Sequence, residues 1–163
     1  MNFLEKDLER ILEEQLNNDP EVLYDLGLEH IDYDLKTKVF RQLRIGNYGI
    51  ADLVTVQRYM DDIIINIYEL KKGVINEDAL FQCSAYAKGI KSYLDKRGVK
   101  KYTVRKVLIG SSVETSGRFP FIFDEIQREN FTDTSIYSFD FKIDGIRFEW
   151  FDLAGYDLID KGF

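Results

Sequence analysis

The chain has 163 residues, enough for one domain with a real core and too few for a large multidomain enzyme. Its 22 Lys and Arg stand against 29 Asp and Glu, a net charge of −7 that argues against a uniform basic coat for nucleic acid. A single cysteine, Cys83, and a single histidine, His30, exclude a disulfide framework or a Cys/His zinc site, so any chemistry falls to carboxylates, Lys, Tyr and amides.

The opening MNFLEKDLERILEE is acidic and amphipathic, unlike a secretory leader, and no stretch reaches the roughly 18 apolar residues of a membrane span, so a reducing, cytoplasmic setting is expected. Phe3, Leu4, Leu8, Ile11, Leu12 and Leu16 recur at helical spacing and predict a helix from Asn2 to about Asn17. Asp19-Pro20 ends it, and a short helical turn follows, broken at Gly27. From Val39 to Val56 β-formers dominate, with Gly46 and Gly49 marking a bend or a close backbone approach, which reads as two strands or one bent strand.

Gln57 to Asp62 reads as a polar connection to the strand Ile63–Leu70, apolar and β-branched on both faces as a central strand should be. If the turn of this hairpin is centred between Met60 and Asp61, Asp52 lies across from Glu69. Asn76 is placed to cap a helix running to about Lys96, with Glu77 and Asp78 in its first turn and Gly98 as its stop. Tyr102–Ser111 reads as a further strand, SSVETSGRFP as loop, and Phe121–Glu129 as a short helix. Ile136–Phe141 and Ile146–Phe151 form a closing hairpin around Asp144-Gly145.

Glu69 and Lys71, two apart on one strand, share a face with Ile63, Ile65 and Ile67. Holding a carboxylate and an ammonium at the end of a buried strand costs several kcal/mol unless each is paired or bound to a cation. Mg²⁺, which prefers oxygen ligands and keeps positions for water and phosphate, gives Asp52 and Glu69 such a role, with Lys71 beside them to stabilise charge growing on a phosphate. The implied reaction is hydrolysis of a phosphodiester. Gln82 and Tyr86, one turn apart on the next helix, can share a face turned to the same strand end and position water or backbone phosphate.

These elements resemble the PD-(D/E)xK, restriction-endonuclease-like nuclease superfamily. GIADLVTV with Asp52 resembles its second motif, YELKKG with Glu69 and Lys71 its third, and DALFQCSAY with Gln82 and Tyr86 the Q-x-x-x-Y element of the RecB-like and NucS-like branches. The opening helix followed by GLEHI is similar to the first helix of NucS-type nuclease domains, where an acidic residue faces the site; that role falls to Glu9 first, with Glu5 in reserve. The resemblance covers about residues 3–110 and implies an α/β fold with a mixed sheet and an αβββαβ core; residues 111–163, with the closing β-hairpin read above, have no match in the family and form a C-terminal extension of one nuclease-like domain. It implies Mg²⁺ or Mn²⁺ on Asp52 and Glu69, with Leu70 between Glu69 and Lys71 counted among the metal contacts, and DNA, or in some members RNA, as the substrate. It departs from the family at Ala51, where the motif name has Pro, and none of the 163 residues resembles the N-terminal DNA-binding or dimerisation domain of NucS proteins, so branched or mismatched substrates are not carried over.

Bland readings stand beside these. Glu69 and Lys71 can be a surface ion pair, Glu5 and Glu9 a solvated helix face, Gln82 an exposed residue and Tyr86 a core aromatic; Cys83 reads as core, His30 as a loop residue, and Trp150 with the C-terminal aromatics as core or a partner surface, including that of a homodimer. The charge is uneven: residues 88–106 hold Lys88, Lys91, Lys96, Arg97, Lys100, Lys101, Arg105 and Lys106 against Asp95 alone. This stripe reads either as a solvated face or, with Lys88 and Lys91 and the separate Lys72 as phosphate contacts, as a source of local, salt-sensitive affinity for nucleic acid within an acidic molecule. The competing function is a nuclease-fold module without catalysis that binds nucleic acid or a protein.

Overall fold

A computed structural model describes residue 3, residues 5–130 and residues 133–153, with the side chains of 126–130 and 133 left aside. The predicted positions Asn2 and Leu4 and the aromatics beyond residue 153 lie outside the described residues. Helices α1 (Glu5–Asn18) and α2 (Pro20–Asp25) lead into strands β1 (Thr37–Arg44), β2 (Ile50–Tyr59) and β3 (Asp62–Leu70). A two-residue strand β4 (Val74–Ile75), the long helix α3 (Glu77–Lys96), β5 (Tyr102–Gly110), a short β6 (Ser112–Val113), α4 (Phe119–Asn130), β7 (Asp133–Lys142) and β8 (Gly145–Trp150) follow among the described residues. No helix among the described residues is long and apolar enough to cross a membrane.

Six strands form one mixed sheet in the order β1-β2-β3-β5-β7-β8, and β4 pairs β6 apart from it. The β3–β5 and β5–β7 pairs are parallel and the others antiparallel. Parallel neighbours need a crossover, supplied by α3 and α4. The predicted αβββαβ core and its C-terminal hairpin are therefore present, and the hairpin continues the same sheet. One apolar layer joins α1 and α2 to the sheet through Leu8, Leu12, Leu23, Leu53, Tyr68, Phe139 and Phe148. The other lies under α3, from Val54, Ile63, Ile65, Ile67, Leu80, Cys83, Ile90, Val104 and Leu108. Alternation along β3 thus sends odd residues to α3 and even ones to α1.

Asn76 caps α3 as expected, its side chain accepting the Asp78 N–H at 3.1 Å. Three expectations are corrected. Gln57–Tyr59 belongs to β2 rather than to a connection, leaving Met60-Asp61 as a two-residue turn; Gln57 is buried because its amide donates to Asp32 O and Thr37 Oγ1. In the closing hairpin Lys142 pairs Gly145, so the turn is Ile143-Asp144, one residue earlier than expected, and Gly145 with φ +126° starts β8. Part of the segment expected to be loop forms β6, and α4 begins at Phe119. Gly27 has a structural reason: φ is +118°, and a Cβ there would run into the Phe148 carbonyl, beside the Phe148 N–H that donates to Leu26 O at 2.8 Å.

Candidate functional site

The hairpin register is the one expected, Tyr59 pairing Asp62 and Leu53 pairing Tyr68. The paired ladder stops there, one step before Asp52 and Glu69. Instead of a ladder bond, Asp52 Oδ2 accepts the Leu70 N–H at 2.9 Å. The cause lies in the edge strand. Gln42 has φ +51°, its pair with Asp52 is missing from the β1–β2 register, and both strands change faces at that step. In β1, Phe40 and Leu43 both pack under α3 although they are three apart; in β2 so do Val54 and Ala51. A left-handed backbone at a residue other than glycine costs about 1–2 kcal/mol, and here it opens the sheet where the carboxylates sit.

Glu69 is buried at 4% exposure, and its Oε2 is a buried oxygen without a hydrogen-bond partner. Burial first, and then the negative charge of Asp52, push its carboxyl up to about 7, with Lys71 pulling the other way. Burial also raises Asp52, opposed by the Leu70 N–H. Lys71 Nζ stands 3.3 Å from Glu69 Oε1 and donates to Gln82 Oε1 at 3.3 Å, so strand and helix meet through this lysine as the Q-x-x-x-Y spacing suggested. The Glu69–Lys71 pair is thus not a surface ion pair on its acidic side.

Tyr86 lies in the core under α3, its ring packed where a Cβ on Gly49 would meet it at 2.9 Å; it is a core aromatic, yet close enough for Glu69 and Asp52, after burial, to raise its hydroxyl. Leu70 buries its side chain towards α1, which leaves its backbone carbonyl as the only atom able to serve a cation. The two acids of α1 separate. Glu9 is buried and both its oxygens are engaged, by Arg41 Nε at 2.6 Å and by Gln42 Nε2 at 3.0 Å. Glu5 accepts the Lys72 N–H at 3.1 Å; the charges of Glu9 and then Glu5 both act on Asp52, and that of Glu5 also acts on Glu69. Among the described residues no group of three or more His, Cys, Asp and Glu side chains gathers to hold a metal. The orphaned Glu69 oxygen opposite Asp52 nevertheless suits a hard cation completed by water and phosphate.

The basic stripe is divided by the sheet. Lys88 is exposed and Lys91 half-buried on α3, and they line one cleft with Lys96 and Lys106, whereas Lys101 pairs with Asp61 at the Met60-Asp61 turn and Arg97 lies over the Tyr93 ring. Arg105 acts on His30, on the α1 side. His30 sits in a loop and ties it to the sheet, its ring nitrogens meeting Tyr68 Oη at 2.8 Å and Tyr137 Oη at 3.2 Å, and burial holds it near 3, neutral. Cys83 is core, and Trp150 is exposed. Gln42 and Arg41 give no signal in the sequence, because a Gln and an Arg in a β-run look like a solvent face.

No family model matches the sequence, and no curated protein matches it. Among solved structures, EndoMS in its apo form is similar over 82% of this chain and 46% of its own, at 16% identity and a TM-score of 0.42. The chain thus spans less than half the length of that protein, a likeness too loose to carry any residue's role from one to the other.

Proposed function

We propose that this chain is a metal-dependent nuclease of the RecB-like and NucS-like kind, hydrolysing phosphodiester bonds in DNA. The observation that carries the reading is the pair of opposed carboxylates, Asp52 and Glu69, with an unpartnered buried oxygen on Glu69 and Lys71 beside it. Nothing in an apolar core requires that arrangement, and it costs stability while the site is bare. Asp52, Glu69 and the Leu70 carbonyl would hold Mg²⁺ or Mn²⁺. Such an ion, when bound, polarises a phosphoryl oxygen and acidifies water.

The other parts belong to the chain itself. Lys71, held by Gln82 and Glu69, sets a positive charge at the rim, where negative charge grows on the phosphate. Glu5, rather than the engaged Glu9, is the α1 acid we place at the site's edge, where it also fixes the exit of β3 through Lys72. Glu9 positions the open edge by gripping Arg41 and Gln42. Tyr86 supports the site from the core, and Lys72, Lys88 and Lys91 meet the DNA backbone.

Purified protein with Mn²⁺ should cut at least one of single-stranded, double-stranded or branched DNA, and EDTA should stop it. Asp52→Ala and Lys71→Ala should abolish cutting while keeping the parent's circular dichroism. Variants that cut like the parent would overturn the reading; DNA binding without cutting by the parent would mark a non-catalytic module.

A further inference from the structure

Lys106 is an unusual charge among the described residues. It sits on β5 in register with Ile67, between Val104 and Leu108, which both belong to the apolar layer under α3. It is 2% exposed, and its Nζ donates to Ser84 Oγ at 3.0 Å. No carboxylate lies within ion-pair distance of it among the described residues. A lysine so enclosed normally has an acid beside it, because an isolated buried ammonium is costly. Burial lowers its affinity for a proton, and the like charge of Lys91 works in the same direction.

The lysine head opens on a cleft of about 680 Å³ between α3 and β5, lined by Ser84, Lys88, Lys91, Ser92, Lys96 and Lys106. The one acid on its wall, Asp95, accepts the Tyr102 hydroxyl at 2.7 Å. Four lysines and two hydroxyls around one hollow, with no carboxylate among the described residues paired to the buried Lys106, make a site suited to negative charge.

We propose that this cleft is a phosphate-binding pocket, separate from the carboxylate site, in which Lys106 and Ser84 form the floor and Lys88 and Lys91 the walls. Donors of this kind suit the several acceptor oxygens of a phosphate group. The hollow is larger than one phosphate and has room for the sugar that carries it. The phosphate can belong to a nucleic-acid strand, which rests on the nuclease reading, or to free phosphate or a nucleotide, which does not.

The test is run in EDTA, so that it does not depend on the metal site. Inorganic phosphate, against chloride at matched ionic strength, should raise the Tm of the parent by several degrees once it exceeds its Kd about 100-fold. Lys106→Met, close to the lysine in shape and free of its charge, should abolish that rise. Lys91→Gln should weaken phosphate about 5–10-fold, and Lys101→Ala, an equal loss of charge at the distant Met60-Asp61 turn, should leave it unchanged. A parent that does not respond, or a Lys106→Met protein that responds as the parent does, overturns the proposal; should Lys106→Met not fold, the Lys91→Gln and Lys101→Ala pair decides by the same contrast. A short DNA strand with a 5′-phosphate, compared with its 5′-hydroxyl form, identifies the source. Tighter binding of the phosphorylated strand assigns the pocket to strand ends, and equal binding that Lys106→Met weakens assigns it to internal phosphates. If DNA cutting fails altogether while phosphate still binds, the pocket stands and the nuclease reading falls.

Discussion

Two lysines rise from the same face of the sheet under one helix, and their surroundings are opposite. Lys71, at the open end of β3, lies against the buried carboxylate of Glu69 and the amide of Gln82. Lys106, two positions back from the residue paired with Glu69 on the neighbouring strand, is more deeply buried and has only a hydroxyl. The first is the positive member of a group whose surplus is negative and which therefore suits a cation. The second is a surplus positive charge and suits an anion. One layer of Ile67, Cys83 and Leu108 lies among them, and Cys83 feels both Glu69 and Lys106. A phosphodiester needs both kinds of partner, so the two places can serve one polyanion.

The largest effect expected of breaking this contrast is on chemistry. Lys71→Ala should lower DNA cleavage by about 10²–10⁴-fold, measured as single-turnover rate with Mn²⁺, with little change in Tm. Next comes the apolar layer between the two lysines: Ile67→Ala should destabilise the fold by about 2–5 kcal/mol in urea unfolding, because Ile67 is fully buried. The acidity of Glu69 gives a third test. Its folded value, about 7, lies above the ordinary 4.5, so the folded state binds the extra proton. Without metal, stability should therefore fall as pH rises from about 4.5 to about 7, by on the order of 3 kcal/mol if Glu69 acts alone. Glu69→Gln should flatten that slope, and a parent whose stability rises across the window would contradict the burial argument. The smallest effect belongs to the far end of the same hairpin. Met60 has φ +56° and is exposed, so Met60→Gly should gain about 0.5–1 kcal/mol and leave cleavage untouched.

Much of the site was legible because the hairpin is short and its alternation strict. Counting back from a turn at Met60-Asp61 placed Asp52 opposite Glu69, and the helix cap at Asn76 set the phase that brings Gln82 to Lys71. What was not legible depends on departures from ideal geometry or on three-dimensional enclosure. The face change at Gln42 and Asp52 follows from one left-handed residue with no glycine to announce it. That Glu5 and Glu9 go to different partners depends on how α1 lies over β1, which helical spacing alone does not fix. Lys106 reads in the sequence as one more member of a basic run, yet strand alternation turns it inward while Arg105 faces the opposite layer.

The contact of Gly27 and Leu26 with Phe148 joins the first thirty residues to the last strand. Tyr137, Phe139, Ile146 and Phe148 supply a large share of the layer beneath α1 and α2. For protein engineering this means that the segment after residue 110 is no dispensable tail. A fragment stopped there would show that apolar layer to water and be recovered as inclusion bodies. A single protease cut in the 114–118 turn, by contrast, would leave two pieces still held together by β5–β7 pairing and both apolar layers, a natural place to split the chain for complementation.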